Sequence, residues 1–258
     1  MTDIAAPGRA LVEAGETVAG SMTRPAAALL FDPAGARVTL DPRLAGCLRR
    51  AAAAAGERPG TRERTRVGAA IAFAVELAVT RGSQGRAVRS DDFFAATDRS
   101  PADELTEAVL GAAARTTEEW QVRHLGYLLA ETAVSSDLDA GLIHRAVRDA
   151  GALTGRQLVF LAAVGRRDRV PLPMAPLPVD PDAWTAWGAL ADLRELQERS
   201  LLDPPPAQPR PGSAPLPRLR LVDLRPTRHG VLLHRLLALD FVRDEAVAAA
   251  LADLGLPH

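Results

Sequence analysis

Residues 100–165 read SPADELTEAVLGAAARTTEEWQVRHLGYLLAETAVSSDLDAGLIHRAVRDAGALTGRQLVFLAAVG, and this stretch predicts a bundle of amphipathic helices. Its opening SPAD is typical of a helix start, because serine caps free N–H groups, proline suits the first helical position and an acid stands at the third. Thr117 and Thr154 are predicted to cap two more helices. Apolar residues recur every three or four positions between these caps. The pattern predicts four helices joined by short loops, over 101–115, 117–134, 138–150 and from Thr154 onward.

The residues before this stretch predict a hairpin and further helices. Two helices are expected over 43–56 and 62–81, separated by a break rich in glycine and proline. Nearer the N-terminus, AALLFDPAGARVTL (27–40) predicts a β-hairpin, because Pro33 suits the second position of a type I turn. A weak helix interrupted by glycine is expected over 8–22.

The residues after the central stretch change in composition. Twelve of the 20 prolines lie between 171 and 217, in two tracts that flank a predicted helix over 183–201. We expect one apolar stripe along that helix, formed by Trp184, Trp187, Leu190, Leu193, Leu196 and Leu201. RLRLVDL (218–224) predicts a short strand, and helices are expected over 226–239 and 243–254. This order of helix, proline-rich loop, strand and helix predicts a winged-helix-like module.

The composition predicts a mostly α fold. Hydrophobic residues make up 47% of the 258 residues but aromatic residues only 4%, which leaves little material for sheets. We expect a central helical bundle followed by a winged-helix-like C-terminal module with one or two short strands, and a small β-hairpin near the N-terminus. The predicted domains are 1–60, 61–170 and 180–258.

Net charge and hydropathy indicate a cytoplasmic protein. The net charge is −1 with all 31 basic residues arginine, so no overall field attracts nucleic acid or anionic lipid. The N-terminus carries acids and lacks a basic region before an apolar core, so no signal peptide is predicted. The most hydrophobic run, VGAAIAFAVELAV (67–79), is too short to span a bilayer and contains Glu76, so no transmembrane segment is predicted.

Several standard chemistries have no support in the sequence. Signatures of nucleotide binding, of zinc peptidases, of serine hydrolases and of di-iron bundles are absent. The single cysteine, Cys47, lies in an apolar helix and is predicted to be a buried, inert thiol. His124, Glu131 and His144 could share one face of two helices, but their spacing is permissive rather than diagnostic. No metal and no cofactor are predicted.

Arg228 and His234 are the only catalytic candidates. The run RHGVLLH is similar to the RNase motif of HEPN domains, which are also helical. In a chain this rich in arginine, about two such pairs arise by chance. An RNase toxin is therefore retained only as an alternative.

The basic C-terminal segment predicts a binding surface. Its arginines, Arg218, Arg220, Arg225 and Arg228, suit contacts with carboxylates. The helix that would read DNA in a winged-helix regulator carries three acids, Asp192, Glu195 and Glu198, against two arginines, and phosphates would repel it. We therefore expect the four arginines to bind an acidic protein surface, a second copy of the chain being one candidate, and we keep DNA binding as a disfavoured alternative.

Four motifs carry a family resemblance. They are DDFF (91–94), LGYLLA (125–130), LTGRQL (153–158) and the T-x-x-G-x-x-L pattern in TRHGVLL (227–233). Over about 85–255 the chain resembles uncharacterised bacterial helical proteins similar to the Abi-alpha abortive-infection family. The resemblance implies a helical centre, a winged-helix-like tail and a non-enzymatic role through protein–protein contacts in phage defence or stress. It implies no catalytic residue.

Overall fold

The computed structural model of the chain describes residues 40–56, 60–95, 99–178, 181–203 and 219–256. Three predictions concern residues outside these ranges. They are the helix over 8–22, the hairpin over 27–40 apart from its last residue, and the placement of Arg218.

The predicted mostly α fold is confirmed. The described residues form nine α-helices and one two-stranded antiparallel sheet. The helices are α1 (Pro42–Gly56), α2 (Thr61–Ser83), α3 (Pro101–Arg115), α4 (Glu119–Ala133), α5 (Ala140–Ala152), α6 (Gly155–Gly165), α7 (Trp184–Glu198), α8 (Arg228–Leu236) and α9 (Asp244–Ala252), and the strands are β1 (Leu202–Asp203) and β2 (Arg225–Pro226).

The chain divides into two compact units. The described residues of the N-terminal unit are those up to Ala152 together with 236–238, and those of the C-terminal unit are 153–235 and 239–256. Helices α1 to α5 belong to the first unit. The second contains α6, α7, α9, both strands and nearly all of α8.

Two of the three predicted N-cap residues, Ser100 and Thr154, cap helices in the structure. Ser100 and Asp103 form a reciprocal capping box at the start of α3, and Thr154 and Gln157 form another at α6. The prediction for Thr117 is wrong, because Glu118 occupies the N-cap of α4 and its N–H donates to Thr116 Oγ1 at 3.2 Å. A threonine side chain still satisfies a free N–H there, one position earlier than predicted.

In the N-terminal unit, α2 and α4 pack closely enough to require a glycine. A Cβ atom on Gly126 would lie 2.4 Å from the carbonyl oxygen of Ala70 and 2.9 Å from Cβ of Phe73. Both neighbours are fixed parts of α2, so neither can move aside alone. The neighbouring α4 residues Leu125 and Leu128 are buried.

We expect Gly126→Ala to destabilise the protein by about 1–3 kcal/mol, because the added methyl group forces α2 and α4 apart. Gly111→Ala on α3 is the matched control, since its Cβ would meet only the flexible Arg115 side chain at 3.4 Å. Alanine improves helix propensity at both sites. Urea denaturation measures the free energy of unfolding of both variants. If alanine stabilised the protein equally at both sites, the close packing of α2 and α4 at Gly126 would be contradicted.

In the C-terminal unit, polar side chains fix α7 against α6. Arg156 Nε donates to Asp192 at 2.6 Å, and Gln157 Nε2 donates to Glu195 at 2.7 Å. Two of the three acids on α7 therefore bind the neighbouring helix. The third, Glu198, is exposed.

Short extended segments complete this unit. β1 pairs with β2 so that Leu202 faces Pro226 and Asp203 faces Arg225. Where RLRLVDL (218–224) was predicted to be a strand, the described part forms one bridge, between Arg220 and Pro176, and then a single 3₁₀ turn over Leu221–Asp223.

The predicted apolar stripe of α7 divides into two groups. Leu190, Leu193 and Leu196 are buried, whereas Trp184 and Trp187 are 83% and 51% exposed and contact each other edge to face. A strict spacing of three residues falls about 60° short of a full helical turn at each step. The residues of the stripe therefore lie on different sides of α7: those near its end face the core, and the two tryptophans near its start face away from it.

Among the described residues, no helix combines the length and the apolar character needed to cross a membrane.

Candidate interaction surface

Arg220 is paired with a carboxylate in the C-terminal unit. Its Nε and Nη2 atoms donate to the two oxygens of Asp223, each at 2.8 Å. The 3₁₀ turn between them brings residues three apart onto one side of the chain. This bidentate geometry is the preferred one for arginine and a carboxylate.

Two further guanidinium groups meet at the next residue. Arg225 Nη1 donates to the Leu224 carbonyl oxygen at 2.9 Å and to that of Val222 at 2.8 Å. Arg167, just after α6, donates to the same Leu224 oxygen at 3.2 Å. Asp203 faces Arg225 across the sheet without forming an ion pair with it. We call Arg167, Arg220 and Arg225 the arginine cluster.

The cluster holds more positive than negative charge. The hydrogen bonds from Arg220 are the main reason that the pKa of Asp223 lies below its ordinary value, and the charge of Arg167 lowers it further. Arg167 and Arg225 bond only to backbone carbonyls in the described part of the chain. Two like charges thus lie close together around one oxygen atom, an arrangement that an incoming anion would stabilise.

The cluster contains two of the four arginines that the sequence predicts to bind a partner, and that prediction stays untested. Of the four arginines expected to bind a partner, Arg220 and Arg225 come together, and Arg218 is outside the described residues. Arg228 is exposed at the first position of α8, where a cation opposes the helix dipole, and it has no hydrogen bond or ion pair with a described residue. Arg167 was missed, because nothing in the sequence connects it with residues 220–225.

A groove of about 200 Å³ lies beside the cluster in the same unit. One wall is α7 and the other is formed by the extended segments that carry Leu177 and Leu219. We call it the leucine groove, and its lining residues are Leu177, Pro178, Leu190, Leu193, Arg194, Gln197, Leu219 and Leu224.

The RNase candidates occupy different environments. The ring of His234 packs against Gly165, so closely that a Cβ there would lie 2.3 Å from its Cδ2 atom. Burial lowers the pKa of His234, and its buried Nε2 atom has no hydrogen-bond partner among the described residues. Arg228 is exposed and lies six residues earlier on the same helix, which places it on a different side. The RNase alternative therefore stays a prediction from the sequence.

Two of the three residues whose spacing suggested a metal site, His124 and Glu131, have other partners. Nδ1 of His124 lies 2.8 Å from the carbonyl oxygen of Leu237, and burial lowers the pKa of His124 to about 4. Glu131 forms a buried ion pair with Arg81. Within the part of the chain that the structure describes, no group of three His, Cys, Asp or Glu side chains could hold a metal ion.

Cys47 has the environment of an unreactive thiol. It is 1% exposed, and its sulfur lies 3.1 Å from Thr106 Oγ1. Burial raises the pKa of the Cys47 thiol to about 12, so the nucleophilic thiolate is scarce at neutral pH.

One of the four motifs behind the resemblance, T-x-x-G-x-x-L, consists of capping and packing positions. In T-x-x-G-x-x-L, Thr227 Oγ1 accepts the N–H of Gly230 at 2.9 Å, and a Cβ on Gly230 would lie 2.1 Å from the carbonyl oxygen of Leu201. Leu233, the last member, is fully buried. The motif is explained by how α8 starts and packs, and it needs no catalytic role.

Comparison with protein-family models, curated proteins and solved structures finds no match to this chain.

Proposed function

We propose that the protein is a non-enzymatic, cytoplasmic binding protein whose C-terminal unit recognises acidic surfaces of other proteins. The arginine cluster is the observation that carries the proposal. It brings together guanidinium groups from two distant parts of the chain: Arg167 and Arg225 share the Leu224 carbonyl oxygen, and Arg220 binds the neighbouring Asp223 carboxylate.

Guanidinium chemistry favours a carboxylate-bearing partner. Arginine presents a rigid, planar set of donors that matches carboxylates, and it is enriched in protein interfaces. The Nε and Nη2 groups of Arg225 have no partner among the described residues, and a carboxylate of the partner protein would supply one. A bound carboxylate would also relieve the repulsion between Arg167 and Arg225.

A role in phage defence or stress is part of the proposal and rests on the resemblance to the Abi-alpha family. The capping and packing roles of Thr227, Gly230 and Leu233 in the T-x-x-G-x-x-L motif are structural, which supports a likeness of fold without a catalytic site. No observation in the described residues favours an enzymatic alternative.

Binding to an acidic polymer tests the proposal. We expect Arg167→Gln/Arg225→Gln to weaken the binding of full-length protein to fluorescein-labelled polyglutamate about tenfold or more, since each charged hydrogen bond contributes about 1.5–3 kcal/mol. Arg169→Gln/Arg243→Gln removes the same charge from exposed positions of the same unit and is the control. Fluorescence anisotropy at several salt concentrations gives the affinities.

Duplex DNA provides the contrasting ligand in the same assay. If the protein binds a short duplex more tightly than polyglutamate, with a steep dependence on salt, and the double variant loses that binding, the regulator alternative replaces this proposal. Equal effects of the two double variants on polyglutamate binding would also contradict it, because net charge alone would then explain the affinity.

A further inference from the structure

We infer that the leucine groove takes one apolar side chain from a short acidic segment of the partner. This inference rests on the proposed function and specifies its ligand. It makes the groove and the arginine cluster two halves of one site, in which the groove binds an anchor side chain and the guanidinium groups bind the carboxylates around it.

The size of the groove indicates a side chain as its occupant. Its volume of about 200 Å³ is below the roughly 300 Å³ at which sites for cofactors and drug-sized ligands begin. Five of its eight lining residues are leucines, which offer dispersion contacts but no hydrogen bonds. Such a lining favours a leucine, methionine or aromatic side chain.

The charges around the groove indicate an acidic segment. Leu224 lines the groove, and its carbonyl oxygen accepts hydrogen bonds from both Arg167 and Arg225. On the α7 wall, Arg194 is exposed and lines the groove itself. Arg194 therefore lies in one wall, and the arginine cluster adjoins the other through Leu224. A segment that places an apolar side chain in the groove brings its neighbouring residues close to guanidinium groups.

The pairing of an apolar groove with an arginine cluster favours one class of ligand over the others. An uncharged apolar ligand would leave the arginine cluster unused. A phosphate backbone would use the cluster but offers no apolar anchor to the leucines. An acidic peptide with one large apolar residue satisfies both halves of the site, as interface anchors do when an apolar pocket has a polar rim.

Two labelled peptides test the inference on the full-length protein. In one, a single leucine stands between two pairs of glutamates, and in the other serine replaces the leucine. We expect the leucine peptide to bind about tenfold more tightly in fluorescence anisotropy, the gain that burial of one leucine side chain provides. A leucine peptide with glutamines in place of the glutamates should bind more weakly than the acidic leucine peptide, because it lacks the carboxylates that the guanidinium groups bind.

A groove variant provides the second readout. Leu219 is half-buried in the groove wall, so Leu219→Glu places a negative charge where the anchor binds. We expect it to remove the preference for the leucine peptide, whereas Leu142→Glu, at an exposed leucine of α5, should preserve that preference. Circular dichroism checks that each variant folds. If Leu219→Glu does not fold, the difference in affinity between the leucine and serine peptides for the native protein still tests the inference.

Three results would overturn the inference. Equal binding of the leucine and serine peptides would show that the groove takes no anchor, and the proposed function would stand if Arg167→Gln/Arg225→Gln still weakened both. Loss of the leucine preference in Leu142→Glu would place the anchor elsewhere. If the native protein were a dimer that Leu219→Glu converted to a monomer, the occupant would be a second copy of the chain.

Discussion

Replacing Leu128 with alanine is expected to lower the free energy of unfolding by about 2–5 kcal/mol. Leu128 lies on α4 of the N-terminal unit and is fully buried. Its loss removes apolar contacts and leaves a cavity that close-packed neighbours fill only partly. Leu142→Ala is the control, because Leu142 is 39% exposed and should change stability by no more than about 0.5 kcal/mol. Urea denaturation of both variants measures the difference, and a small effect at Leu128 would contradict the packing of α4.

Acid is expected to destabilise the N-terminal unit through His124. In the folded protein, burial lowers the pKa of His124 to about 4, whereas its ordinary value is 6.5. Between those two pH values the unfolded chain binds a proton that the folded protein does not, so stability falls as the pH decreases. The loss begins near pH 6.5 and is complete near pH 4, where it amounts to about 3 kcal/mol.

His124→Gln separates this effect from the titration of carboxylates. Glutamine can donate to the carbonyl oxygen of Leu237 but has no proton to gain in this range. We expect the variant to be less stable at neutral pH yet to lose about 3 kcal/mol less between pH 6.5 and 4 than the native protein. An unchanged slope in His124→Gln, measured by urea denaturation at a series of pH values, would contradict the buried neutral state of His124.

The helices could be predicted because the sequence features that define them, capping residues and apolar periodicity, involve residues close together in the chain. The predicted helix over 101–115 matches α3, and the one over 43–56 differs from α1 by one residue. Capping residues and the 3.6-residue period act within a few positions and are visible in the sequence. The pairing of Arg220 with Asp223, three residues apart, has the same local character.

Other features depend on contacts between distant residues. The exposure of Trp184 and Trp187 follows from which side of α7 meets the core, and a list of apolar positions does not fix that side. Arg167 joins Arg225 only because two parts of the chain meet at the Leu224 carbonyl oxygen. The close approaches at Gly126 and Gly230 likewise depend on how helices and turns pack, since glycine is frequent throughout the sequence.

The affinity of Asp223→Asn for labelled polyglutamate tests most directly the claim that the arginine cluster binds carboxylates. Asp223 is the carboxylate that Arg220 now binds, so its neutralisation frees that guanidinium and removes a nearby repelling charge. We predict binding at least about threefold tighter than native at low salt. Asp244→Asn, where the side chain is 82% exposed and pairs with Arg166, removes the same charge elsewhere in the C-terminal unit and should change the affinity less. Binding by Asp223→Asn that is no tighter than that of Asp244→Asn would contradict the claim.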